Sequence, residues 1–432
     1  MPRPSASTAA SGCLRSELGH LLTRIRSLDV YLGDDLVAEV ATPRSGKMTL
    51  TYRPDAVERF GEGAMALSAS LPVRTERYSP SEVAPFLDGL LPDGWARAGL
   101  ERRFDVHRVD SFSLLAAIGR ECAGAVSLVP TGAPSPSVPS EPVVPLDDRT
   151  VAILLAQLEQ DPFGVDDDTR LTLAGTPWKL PLTRTADGGW ARPRRGAWST
   201  HLVRPEPPDL GGLVATEAFS LGALRDAGVR VVAAEALSFG GSAALVVERF
   251  DRVVGADGSV MRLHQEDCCQ ALGAARAERA ERDGGPTLVE IADLVNDMAW
   301  DPEAELILLL QWVAATLVFG KVDATARDLA LTYSGGECRL APIASMAGTA
   351  DFPDRGQQLG LSVGGVEDLD RVGRRQLIDE AKRWGMPAEV AATVLDDLVE
   401  RLGTALDAAR QVIDPGDEVV AAFRRRLHHL AF

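Results

Sequence analysis

The run LILLLQWVAATLVFG (306–320) constrains this chain more than any other stretch. It is too short for an ordinary membrane-spanning helix of ~20 residues and reads as a buried helix. The polar segment GKVDATARD (320–328) closes it, with Asp323 and Asp328 five positions apart. A carboxylate that orients a hydroxyl, followed by an oxygen ligand for a metal, is the arrangement phosphoryl transfer needs. The polar end of a buried helix carries the same residue types, so this segment alone leaves both readings open.

Charge narrows the partners. The formal net charge of the 432-residue chain is −17. Affinity for nucleic acid comes largely from Lys and Arg displacing counterions, so direct nucleic-acid binding is not expected. Arg192, Arg194 and Arg195 form the densest basic patch and read as a solvated loop. Five scattered cysteines include no C-x-x-C, and six histidines complete no zinc pattern. The N-terminal stretch MPRPSASTAASG lacks an apolar core and reads as a disordered tail. With no spanning segment and an odd cysteine count, a reducing, cytoplasmic setting is expected.

Periodicity gives the order of elements. LDVYLGDDLVAEV (28–40) reads as two strands around a G-D-D turn, GKMTLTYRP (46–54) adds a third, and LSASLP (67–72) is a further strand candidate. SPSEVAPFLDGLLPDG (79–94) has helix-start chemistry and a Pro-Asp-Gly stop. SFSLLAAIGRECAGAVSLVP (111–130) reads as a helix broken at Gly119, then a strand. TGAPSPSVPSEPVVP (131–145) is a Pro- and Ser-rich linker. Beyond it come a hairpin around D-G-G (171–193), a strand (198–205), a helix ending near Gly228 (214–229) and a strand (243–254). From about residue 264 the pattern is helical almost throughout. The expected class is α/β followed by all-α.

Several residues carry chemistry within this frame. Gly175 and Lys179 in AGTPWK (174–179) could wrap a phosphate, or form an ordinary hairpin turn. Arg204 in HLVRP offers a fixed cation on a strand, and Glu217 in the next helix offers its acidic partner. Glu248 and Phe250 in VERFDR (247–252) lie where a strand leaving one lobe could present backbone groups to an adenine edge.

Taken in order, these pieces resemble the HipA family, the serine/threonine kinase toxins of bacterial toxin–antitoxin pairs. LSASLP, FLDGLLPD (86–93) and LLAAIGRECAGAVSLVP (114–130) are similar to the family's LSLSLP, F-x-N-LLPDS and LL-x-x-IGRDSVGAV-x-L-P. VERFDR, LHQEDCCQALG (263–273) and LGLSVGG (359–365) resemble three further family segments. The resemblance implies a two-lobed HipA-like protein-kinase fold with an N-terminal α/β region and an all-helical C-terminal lobe. It divides the chain into a tail (1–27), an N-terminal subdomain (28–130), a linker (131–147), an α/β part like a kinase N-lobe (148–262) and the helical lobe (263–432).

The resemblance also assigns residues. The family's catalytic loop, G-N-T-D-x-H-x-K-N, aligns with GKVDATARD. Asp323 falls on the catalytic aspartate, Thr325 on the histidine, Arg327 on the lysine and Asp328 on the metal-binding asparagine. Arg204 takes the place of the strand lysine. In LAPIASMAGTADFPD (340–354), Ala344 and Ser345 align with a Tyr-Asp pair whose aspartate holds magnesium. Thr172 aligns near a regulatory autophosphorylation serine. The implied cofactors are ATP and magnesium, with Gly175, Lys179, Arg204, Glu248, Phe250 and Arg327 on the nucleotide side.

Replacing an anionic carboxylate by the neutral Ser345 should weaken metal binding and γ-phosphate placement. Three functions are therefore expected to compete. One is an impaired, pseudokinase-like regulator or toxin homologue. The second is an active ATP/Mg-dependent Ser/Thr kinase toxin acting on a protein. The third is a kinase-fold tailoring enzyme for a small molecule or peptide. An antitoxin-like DNA-binding partner fits the first two.

Overall fold

A computed structural model describes residues 22, 24–43, 47–107, 110–137, 143–165, 171–175, 178–194, 197–352 and 356–431. Most of the expected tail, the middle of the Pro/Ser linker and Arg195 lie outside the described residues. Contacts divide the chain into two compact units, residues 1–200 with 253–264, and residues 201–252 with 265–432. The Pro/Ser segment thus lies within the first unit.

In the first unit, β1 (Ser27–Leu32), β2 (Asp35–Ala41) and β3 (Thr49–Tyr52) form an antiparallel meander. Alternating burial explains it: Leu28 and Val30 are fully buried from one strand and Leu50 from another. The helices α1 (Pro54–Phe60), α2 (Pro80–Gly89), α3 (Gly94–Arg103) and α4 (Ser111–Ile118) follow, and β4 (Val126–Pro130) returns to pair with β1. A Ser79/Glu82 capping box starts α2, as the sequence implies. LSASLP is not a strand. Leu67 and Leu71 are fully buried, but the chain turns between them, with Leu71 N–H on Ser68 O at 3.1 Å. The Tyr52 hydroxyl donates to Leu71 O at 2.7 Å and that of Tyr78 to Pro72 O, so side chains satisfy backbone that a partner strand would otherwise serve.

The rest of this unit contains β5 (Val144–Leu146), α5 (Asp148–Ala156), β6 (Leu180–Arg184) and β7 (Trp190–Arg192). β6 and β7 are antiparallel around the D-G-G turn, where Gly188 has φ +82°. β5, the end of the expected linker, pairs with the other side of β7.

The second unit begins with β8 (His201–Pro205), α6 (Leu213–Asp226), β9 (Ala234–Phe239) and β10 (Ser242–Glu248). β10 lies between β8 and β9, all antiparallel, with Arg204 opposite Leu245. β11 (Arg252–Val254) and β12 (Val260–Arg262) fall almost wholly in the first unit; the second resumes in β13 (His264–Asp267), the single turn α7 (Cys268–Ala271), α8 (Leu288–Met298) and α9 (Pro302–Phe319). α9 is the apolar run, and it is buried: Leu309, Ala314, Val318 and Phe319 have no exposed surface. It packs against α8, α11 (Ala388–Val412) and α12 (Asp417–Ala431), and Phe423 of α12 meets Phe319 edge-on at 5.0 Å.

This unit is helical in the main, but not wholly. β14 (Ala330–Ser334) and β15 (Glu337–Leu340) join β13 in a small sheet, and β16 (Gln358–Val363) pairs with β17 (Val366–Asp368) before α10 (Arg374–Arg383). Both hairpins turn on two consecutive glycines with positive φ, Gly335–Gly336 and Gly364–Gly365. Such pairs match the twist of the flanking strands, and they interrupt what composition alone reads as helix.

Close backbone approaches brace the loop after α9. Gly360 N–H donates to Val322 O at 2.8 Å, and a Cβ on Gly360 would meet Ala324 O at 2.3 Å. Gly360→Ala is expected to cost about 2–4 kcal/mol in denaturant unfolding. Gly403→Ala, in the open middle of α11 with nothing within 4 Å, is expected to gain about 0.5–1 kcal/mol.

Candidate active site

The end of α9 positions the site. Gly320, at φ +69°, terminates the helix, and Lys321 N–H returns to Thr316 O at 2.8 Å. This fold-back sets Lys321 at the base of the loop with its side chain only 5% exposed. Thr349 and Ala350 N–H groups, at 2.9 and 3.0 Å, both hold Gly320 O from the other side.

The Lys321 ammonium lies 3.0 Å from Asp328 Oδ1 and 3.3 Å from Asp323 Oδ1. Burial disfavours its charged form, but Asp328, Asp323 and Glu217 outweigh that and raise its pKa above the ordinary lysine value. The other oxygen of Asp328 accepts from Thr325 N–H at 2.9 Å and from the Thr325 hydroxyl at 3.3 Å. Thr325 and Asp328 thus cap the short 3₁₀ turn Ala326–Asp328. Asp323 keeps most of its carboxylate in solvent, with 63% of its side chain exposed.

A second cluster surrounds Glu217, which is buried in α6. The Glu206 carboxylate accepts from Leu213 N–H at 2.6 Å, fixing the start of that helix beside β8. Glu217 pairs with Arg204 through Oε2, and its Oε1 accepts from the Ser345 hydroxyl at 2.8 Å and Met346 N–H at 3.0 Å. Burial opposes its ionisation, yet Arg204, Ser345 and Lys321 together hold the carboxyl below its usual value. The cation–carboxylate pair read from sequence is therefore formed. Ser345 donates into that pair.

Arg327 faces Asp267, Nε to Oδ2 at 3.7 Å. Asp267 also caps α7, accepting from Gln270 N–H at 2.9 Å. Burial drives the Asp267 carboxyl from 3.8 up to about 6, with Arg327 pulling the other way. In VERFDR, Glu248 is exposed, Phe250 is half-buried, and the intervening charges are structural. Arg249 grips Asp251 at 2.9 and 2.7 Å, Arg252 adds a contact at 2.9 Å, and all three are buried.

The remaining nucleotide-side residues belong to the first unit. Gly175 has φ +82°, and the Lys179 ammonium donates to Ala174 O at 3.0 Å. Thr172 is fully buried, and its hydroxyl donates to Leu90 O at 2.8 Å. In this conformation that hydroxyl is closed to a phosphoryl donor.

The donor set does not fit a magnesium ion in this arrangement. Magnesium requires oxygens at about 2.0–2.1 Å in octahedral order. Asp328 is engaged at both oxygens, Ser345 donates its proton to Glu217, and an ammonium is set against Asp323 and Asp328. Among the described residues, no three His, Cys, Asp or Glu side chains form a metal-holding cluster. Sequence reasoning missed Lys321, which no motif singles out at the polar end of the apolar helix. The available signal was rarity: only Lys47, Lys179, Lys321 and Lys382 among 45 Lys and Arg residues are lysine.

Residues 28–129 match the HipA N-terminal domain and residues 171–406 the HipA-like C-terminal domain. The chain belongs to the HipA family. It is 30% identical to the protein Y4mE of Sinorhizobium fredii over 94% of this chain and 96% of that relative. The serine/threonine-protein kinase toxin HipA of Shewanella oneidensis is 25% identical, with 92% of each chain covered. The fold is similar to that of the S. oneidensis HipA solved with HipB and its operator DNA, at a TM-score of 0.80 and 24% identity, covering 93% of this chain and 95% of that one. This similarity confirms the expected two-lobed HipA-like fold.

The raised Asp267 carboxyl has a consequence for stability. The folded state holds this proton more tightly than the unfolded chain does. The resulting stabilisation is complete below pH 3.8 and is lost as pH rises through about 6. A gap of about two pH units corresponds to on the order of 2–3 kcal/mol. Denaturant unfolding from pH 3.5 to 7 should show this decline, levelling off above about pH 6, and Asp267→Asn, which keeps an oxygen for the Gln270 cap, should flatten it.

Proposed function

We propose that this HipA-family kinase-fold protein is impaired in metal-dependent phosphoryl transfer and acts through binding, as a regulator or toxin homologue. The observation that carries the reading is the Ser345 hydroxyl given to Glu217. A carboxylate there would be an oxygen ligand with a full negative charge, whereas Ser345 is neutral and turned toward the Arg204–Glu217 pair. Transfer in such folds depends on positioning and on charge stabilisation, so this loss should lower the rate by several powers of ten. A cytoplasmic, ATP-binding protein with an antitoxin-like DNA-binding partner fits this reading. The S. oneidensis HipA was solved with HipB and operator DNA, and a chain of net charge −17 is ill suited to hold DNA by itself.

The exposed Asp323 carboxylate favours a second reading, in which it still orients a hydroxyl for attack on ATP. Radiolabelled ATP separates the two. With the full chain and magnesium, γ-phosphate transfer to itself or to a protein acceptor is expected at the background set by Asp323→Asn. Transfer clearly above that background, and abolished by Asp323→Asn, overturns the impaired reading. Calorimetry with ATP, with and without magnesium, reports binding separately.

A further inference from the structure

We infer that the Lys321 ammonium is the resident cation of this site and excludes a divalent metal from it. The inference rests on the reading above for the roles of Asp323 and Asp328, but on different atoms from those of Ser345.

Three observations carry it. First, the ammonium is buried at the base of the loop. The Gly320 fold-back fixes the Lys321 Cα at the base of the loop, and the buried stem leads Nζ to the two loop carboxylates. Second, Nζ lies 3.0 and 3.3 Å from one oxygen of Asp328 and one of Asp323, the two acids that the loop offers to a cation. An ion about 2.1 Å from either oxygen could lie no farther than about 5.5 Å from a like charge, close enough for the repulsion to weaken its binding. Third, the neighbouring oxygens are committed elsewhere. Asp328 Oδ2 serves Thr325, and Glu217 serves Arg204, Ser345 and Met346.

Residue choice agrees with this assignment. Arginine supplies nearly all the other cations of the chain, yet this position holds one of its four lysines. A guanidinium is a planar fork, whereas an ammonium is a compact point charge of tetrahedral donors and so the nearer substitute for a small ion. The two carboxylates account for two of its three protons, which leaves a third donor for a phosphate oxygen reaching the loop.

Electron paramagnetic resonance of Mn²⁺, titrated alone into the full chain without nucleotide, tests the inference. Wild type is expected to leave Mn²⁺ free through the millimolar range. Lys321→Asn, which removes the charge and leaves both carboxylates facing the gap, is expected to bind one Mn²⁺ at least about tenfold more tightly. If Lys321→Asn does not fold, Lys321→Gln gives the same comparison with more of the stem retained. Saturable binding of one Mn²⁺ by wild type, lost in Asp328→Asn, overturns the inference, and so does a folded charge-removed variant that gains nothing. The readout is independent of catalysis. Asp323-dependent transfer that persists in EDTA would defeat the impaired reading and leave this one standing, whereas saturable Mn²⁺ binding without transfer would do the reverse.

Discussion

A buried ammonium must be compensated, and the loop after α9 is organised around that need. Removing a lysine charge from water costs several kcal/mol unless carboxylates and hydrogen bonds replace the lost solvent. Asp323 and Asp328 supply the compensation, Asp328 from the 3₁₀ turn that Thr325 caps. The glycine contacts at Gly320 and Gly360 then fix the loop against its neighbours. Helix termination, loop conformation and charge placement are therefore one coupled arrangement.

The Glu217 cluster obeys the same logic in a different part of the unit. Its carboxylate is held ionised in a buried position by a strand cation, a side-chain hydroxyl and a backbone amide. The proton of Ser345 completes a carboxylate's shell. The family fold is preserved around a site whose charges satisfy one another. Fold and chemistry are separable in this way because the fold depends on apolar burial and backbone pairing, whereas chemistry depends on a few charges.

Much of the fold was legible because its signals are local. Alternation gave β1 to β3, the Ser79/Glu82 pair gave the start of α2, and D-G-G gave the β6–β7 turn. LSASLP misled because its alternation is real but its backbone partners are tyrosine hydroxyls. The strands within the helical half were hidden by helix-like composition, although Gly335–Gly336 and Gly364–Gly365 marked them. The Arg204–Glu217 pair, expected from a strand cation and an acid on the next helix, is formed, and Asp323 and Asp328 share the loop after α9. The buried charges of Arg249, Asp251 and Arg252, the inward turn of Ser345 and the partners of Lys321 were not legible in the sequence. Each depends on residues far apart in sequence, and no local pattern records whether a charge finishes in solvent or in a core.

Anomalous diffraction at the manganese edge, from wild-type crystals equilibrated with Mn²⁺ and a non-hydrolysable ATP analogue, tests the central claim most directly. The account requires the Lys321 ammonium between Asp323 and Asp328, with no anomalous peak there. A manganese peak coordinated by Asp328, with Lys321 displaced, would contradict it.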